Sequence, residues 1–202
     1  MPHTAIKMLA VAACLSIASG AHAATVYKTT LAGANENPAN ASPGTGQATL
    51  TFDTAAHTMT LSVTFQGLTA PTTAAHIHCC AAPPNNVGVA TMIPSFVGFP
   101  AGVVSGSYMN VFDLTQLSSY NAPFVAGSGG TAASAEAALL AGLNAGQAYF
   151  NLHTTAFPGG EIRGHFAVVP EPGTWALMIT GFGFVGAAAR RRRASLLGRA
   201  AV

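Results

Sequence analysis

Charge is scarce in this chain. Only 7% of its 202 residues are Asp, Glu, Lys or Arg, and the formal net charge of +2 hides an uneven distribution. Lys7 lies near the start, and Arg190 to Arg193 and Arg199 lie near the end. Between residues 24 and 169 only Lys28 and Arg163 stand against Glu36, Asp53, Asp113, Glu136 and Glu161. That stretch is acidic and has no basic patch, which excludes nucleic acid as a partner. Cysteine is nearly as rare: Cys14, Cys79 and Cys80 are too few for a disulfide framework. The Gly-x-Ser-x-Gly elbow of serine hydrolases is missing. No spacing pairs Glu161 with Asp53, Asp113 or Glu136 as a glycoside hydrolase would require. No enzyme class asserts itself.

The two ends are export signals. Residues 1–23 have a short basic start, an apolar run from Met8 to Ile17 and the small-x-small site Ala21-His22-Ala23. This is the pattern of a secretory signal peptide, cut by signal peptidase before Ala24. The alternative, Val11-Ala12-Ala13-Cys14 as a lipoprotein box, leaves an apolar run of only about six residues, against the roughly 7–15 such a region needs. At the other end, Pro170-Glu171-Pro172 precedes an apolar run from Trp175 to Ala189, and Arg190, Arg191, Arg192 and Arg193 follow. About fifteen apolar residues fall short of the roughly 17–25 of a comfortable span, but Gly173 and Thr174 extend the run. The segment is a candidate C-terminal membrane helix with its arginines on the cytoplasmic side. The Gly-x-Gly-x-x-Gly inside it, residues 181–186, lacks the flanking strand and acidic residue of a dinucleotide site.

Residues 169–193 resemble the PEP-CTERM sorting signal of Gram-negative bacteria, in the order Pro-Glu-Pro motif, membrane helix, arginine cluster; residues 194–202 form a short tail. The resemblance implies an inner-membrane precursor and an exosortase-type processing enzyme as partner. It further implies release or anchoring at the outer surface or in an exopolysaccharide-rich extracellular matrix.

Residues 24–168 read as one all-β domain. Stretches 24–33, 46–53, 58–68, 74–79, 106–114, 147–154 and 160–169 are rich in Thr and Val or alternate apolar with polar residues. Gly, Pro and Asn separate them, which predicts an antiparallel β-sandwich or barrel. The Ala-rich stretch Thr131 to Leu143 predicts one short helix, ended near Gly146. Side chains two apart on a strand share a face. His76 and His78 therefore oppose Ile77. Tyr149, Asn151 and His153 oppose Phe150 and Leu152, and Glu161, Arg163 and His165 oppose Ile162 and Phe166. The apolar sets belong to the core, and the polar sets are expected on the outer surface of the sheet under a covering loop. Asn151, Glu161, Arg163 and His165 form the expected polar cluster, with Glu161 and Arg163 as a candidate ion pair.

The same residues, Ala75-His76-Ile77-His78 followed by the stretch from Leu143 to Phe166, resemble the CHRD domain found in chordin and in secreted bacterial proteins. The resemblance runs from about Thr25 to Val168 and implies an all-β extracellular domain; it brings no firmly established catalytic residues. Where many members carry Gly-Pro after His-x-His, this chain has Cys79-Cys80.

Once Cys14 is removed, Cys79 and Cys80 are left in an oxidising compartment. A vicinal disulfide, intermolecular pairing, soft-metal ligation and two reduced thiols all remain open. His76, His78 and His153 have strand-compatible spacing for a copper or zinc ion, with Glu161 or a thiol in a fourth position. The leading expectation is a non-catalytic cell-envelope or matrix protein with a binding or structural β domain, exported and sorted through its tail. The alternative is an extracellular metalloprotein built on the three histidines. A protein-binding module, by analogy with chordin, is the third.

Overall fold

The computed structural model describes residues 24–170, 178–186 and 190. The expected signal peptide lies outside the described residues, as do Glu171, Pro172, Arg191, Arg192 and Arg193. Pro170 and Arg190 are described, and both are exposed. Residues 178–186 are helical. Among the described residues no helix is long and apolar enough to cross a membrane; the expected span from Trp175 to Ala189 lies partly outside them.

The domain is mostly antiparallel β. Its strands are β1 (Thr25–Ala32), β2 (Thr45–Asp53), β3 (Thr58–Gln66), β4 (Thr72–His78), β5 (Gly106–Asp113), β6 (Tyr149–Thr154), β7 (Ile162–His165) and β8 (Ala167–Val168). They form one curled sheet in the order β4-β6-β7-β1-β2-β3-β5, with β8 beside β1. The last predicted strand is therefore two, divided at Phe166, whose side chain enters the core.

The alternation in β1 to β3 works as period-2 patterning requires. Tyr27, Leu31, Leu50, Phe52, Met59, Leu61 and Val63 are almost fully buried, while the residues between them are partly or fully exposed. Burying side chains of this size contributes about 1.5–3 kcal/mol each. Helix α2 (Ala132–Asn144) packs Ala135, Leu139 and Leu143 into the same core. Thr131 caps it: its Oγ1 accepts from Ser134 N at 3.1 Å, and Ser134 Oγ accepts from Thr131 N at 3.2 Å. A second helix, α1 (Ala122–Gly127), was not expected; six residues with Pro123 in the first turn are too short for helical periodicity to register.

At the β4-β6-β7 end both faces of the sheet are covered. One face gives Ala75, Ile77, Phe150, Leu152 and Ile162 to the core. The opposite, polar face lies beneath two irregular segments, residues 33–44 and 79–105. The second also runs along the free edge of β4: Cys79 N donates to Gly88 O, Ala90 N to Ile77 O and Phe96 N to Ala75 O. This pairing hides an edge that would otherwise be a template for association.

Candidate metal centre on the buried polar face

Neighbouring strands bring the polar residues into register. His76 pairs with Asn151 and Asn151 with Arg163, while His78 pairs with Tyr149 and Tyr149 with His165. His153 lies opposite Ala74, one step diagonally from His76. The histidines lie on the outer face of the sheet, beneath the covering segment. His76 and His78 are 7% and 9% exposed, because the segment after β4 folds back across them.

Backbone carbonyls fix the state of each ring, two from that segment and one from the turn between β6 and β7. His76 Nε2 lies 2.7 Å from Pro94 O, His78 Nδ1 2.8 Å from Val87 O, and His153 Nδ1 2.9 Å from Pro158 O. A carbonyl only accepts, so each of these nitrogens carries its proton and donates. The other nitrogens, His76 Nδ1, His78 Nε2 and His153 Nε2, are buried without a partner. The three ligand nitrogens lie within 4.8 Å of one another. Burial lowers the pKa of all three rings, and His78 falls to about 4, with the charges of His153, His76 and Arg163 adding to the burial. At neutral pH the site therefore holds three neutral imidazoles, each with one buried, unpartnered nitrogen. Three buried acceptors without a donor are costly, and a cation relieves that cost. Zinc bonds of about 2.0–2.1 Å place nitrogens roughly 3.3–3.6 Å apart, so a pair at 4.8 Å would close by roughly 1.2–1.5 Å.

The fourth positions suggested by the sequence are engaged elsewhere. Glu161, fully buried, accepts from Ser42 Oγ and Thr154 Oγ1, each at 2.6 Å, and from Thr69 N. Burial pushes its pKa up, but these donors outweigh burial and hold it below the usual carboxylate range. Cys79 and Cys80 are joined as a vicinal disulfide and pack against Gly142 of α2.

Arg163, 1% exposed, organises the rest of the face. It donates through Nε to Asn35 O, through Nη1 to Asn86 Oδ1 and through Nη2 to Pro84 O, at 2.6, 2.6 and 2.8 Å. Its guanidinium also sits 4.8 Å from the centre of the Tyr149 ring. Its carboxylate partner is Glu36, at 3.7 Å, rather than the expected Glu161. Glu36 is 8% exposed, and burial raises its pKa to about 7 against the opposing pull of Arg163. Sequence reasoning did not select Glu36, because nothing in Asn35-Glu36-Asn37 signals a partner on β7. Asn151 donates to Gly159 O at 3.3 Å, and His165 lies beyond Tyr149, 5.0 Å from its ring and outside the histidine triad.

A curled antiparallel sheet, a polar face sealed by irregular segments and a C-terminal sorting sequence define an exported β-domain protein. The CHRD domain model matches residues 27–166, and the PEP-CTERM protein-sorting motif matches residues 168–193. The chain belongs to the CHRD domain family. The motif makes it an exosortase-sorted protein, exported to the cell envelope or extracellular surface of a Gram-negative bacterium. No curated protein and no solved structure matches the chain.

Proposed function

We propose that the CHRD domain is a metal-binding domain of the cell envelope, holding one copper or zinc ion between His76, His78 and His153. One observation carries this reading. Each ring spends one nitrogen on a backbone carbonyl and leaves the other buried and unpartnered, and one ring nitrogen from each histidine lies within 4.8 Å of the other two. The carbonyls are the outer-shell partners that orient metal-bound histidines in general. Three neutral nitrogen donors suit copper and zinc better than calcium or magnesium, which prefer oxygen. The fourth ligand would be exogenous, since Glu161 and the cysteines are engaged elsewhere.

Titration of the exported protein with copper or zinc should raise its melting temperature, and His78→Ala should abolish the rise. An equal rise in the variant would assign the metal to other residues.

A second reading, a non-catalytic module that binds exopolysaccharide, draws on the same polar face of the sheet farther along, over β1, β2 and β3. Two adjoining clefts of about 490 and 440 Å³ share Thr30 and Gln47 and are lined by Thr45, Thr49 and Thr64 among others. Such neutral hydroxyl and amide groups suit a neutral glycan. Retention of the protein on its own envelope polysaccharide, lost on Gln47→Ala with Thr64→Ala, would favour this reading.

A further inference from the structure

We propose that the Cys79–Cys80 disulfide is a thiol-exchange site for a dithiol reductant, and that its reduction loosens the segment sealing the histidine triad. The inference rests on the metal reading of that triad for its consequence, but not for its chemistry.

Cys80 is exposed while Cys79 is 4% exposed, so Cys80 is the open side of the pair. Both cysteines line a surface cavity of about 390 Å³, with Val87, Val89, Phe124 and Ala138 among its walls. An incoming thiol therefore has room to reach Cys80 Sγ. The inner side of the pair is closed: a Cβ on Gly142 would collide with both sulfurs. Attack is thus directed at Cys80 from the cavity.

The pair sits where β4 ends and the covering segment begins. His78 immediately precedes it, Cys79 N donates to Gly88 O, and Ala81 N donates to Gln147 O. Val87 lines the cavity, and its carbonyl accepts from His78 Nδ1. The ring closed by the disulfide fixes the direction in which the chain leaves β4. That direction sets Val87 O against His78.

The exchange balances. A donor thiolate attacks Cys80 Sγ, the S–S bond breaks, and Cys79 Sγ leaves as a thiolate that takes up a proton. The donor's second thiol then attacks the mixed disulfide and frees Cys80, which is protonated in turn. The protein gains two electrons and two protons, and the donor leaves as its own disulfide. Ala138 O, 3.6 Å from Cys80 Sγ, is placed to accept from the new thiol.

The test uses the exported protein in oxidised form, after reduction by a phosphine, and as the Cys79→Ser, Cys80→Ser double variant. Amide hydrogen exchange across residues 81–102 is measured without metal, and zinc transfer to a chromogenic chelator is measured after loading. Reduced and double-variant proteins should exchange faster in that segment and hold zinc about 10–100-fold more weakly, as expected when an outer-shell partner is lost. Equal exchange in all three forms would overturn the proposal. So would a disulfide that native protein withholds from dithiothreitol until it unfolds. Faster exchange in protein that takes up no zinc would sustain the exchange site and overturn only the metal reading.

Discussion

The ring of His78 lies parallel to that of Tyr149, with centroids 4.8 Å apart and planes inclined by 7°. Tyr149 also contacts Val87 through its hydroxyl, which accepts from Val87 N at 3.3 Å. One side chain thus supports both the imidazole and the carbonyl that orients it. Tyr149→Phe should keep the stack and weaken metal binding by less than about tenfold, whereas Tyr149→Ala should weaken it by about tenfold or more. Isothermal titration of both variants with zinc checks the order, and equal losses would show that stacking does not position His78.

The acid response of metal-free protein follows from the directions of two sets of shifts. His78 has a folded pKa of about 4 against an ordinary 6.5, and His76 and His153 are lowered too. The unfolded chain therefore binds protons that the folded chain refuses, and stability falls as pH drops from 6.5 toward 4. Glu36 acts oppositely, with its pKa raised from 4.5 to about 7. Its contribution is fully present below pH 4.5 and is lost as pH rises through 7. Relative to wild type, Glu36→Gln should therefore gain more stability at pH 8 than at pH 5. Urea unfolding at the two pH values measures this, and a pH-independent difference would contradict the assignment.

Arg163→Met should be the most disruptive single change on the polar face. It removes three hydrogen bonds that tie residues 35, 84 and 86 to β7 and leaves Glu36 buried without its cation. Breaking a buried charge pair costs about 3–5 kcal/mol. Adding Glu36→Gln should recover part of that loss. Additive losses in the double variant would show that the two side chains act independently.

Much of this domain is legible in its sequence because strand alternation is local. Thr and Val patterning marks β1 to β3, and His76, His78, Asn151 and His153 fall on the side opposite Ile77, Phe150 and Leu152. What is not legible is non-local. The neighbour order β4-β6-β7 joins strands separated by the covering segment and two helices. The burial of the histidines depends on how that segment returns across them. Glu36 reaches Arg163 from 127 positions away with no pattern to announce it. Even the split between β7 and β8 is not announced locally: alternation puts Phe166 on the core side but does not show that the strand breaks there.

The sorting tail yields an independent prediction. Replacing Arg190 to Arg193 with neutral residues, or Pro170-Glu171-Pro172 with alanines, should leave uncleaved precursor in the inner membrane. Immunoblots of fractionated cells report this, and unchanged release of mature protein from both variants would contradict the role given to those residues.

The metal reading meets its most direct test in X-ray absorption on the exported protein, purified from its own envelope and assayed for metal content. One copper or zinc per chain is predicted, with three imidazole nitrogens around it; for zinc their distance should be about 2.0–2.1 Å. His153→Ala should lower the nitrogen count. Protein that carries no ion and takes up neither copper nor zinc, with its histidines intact, would contradict the proposal outright.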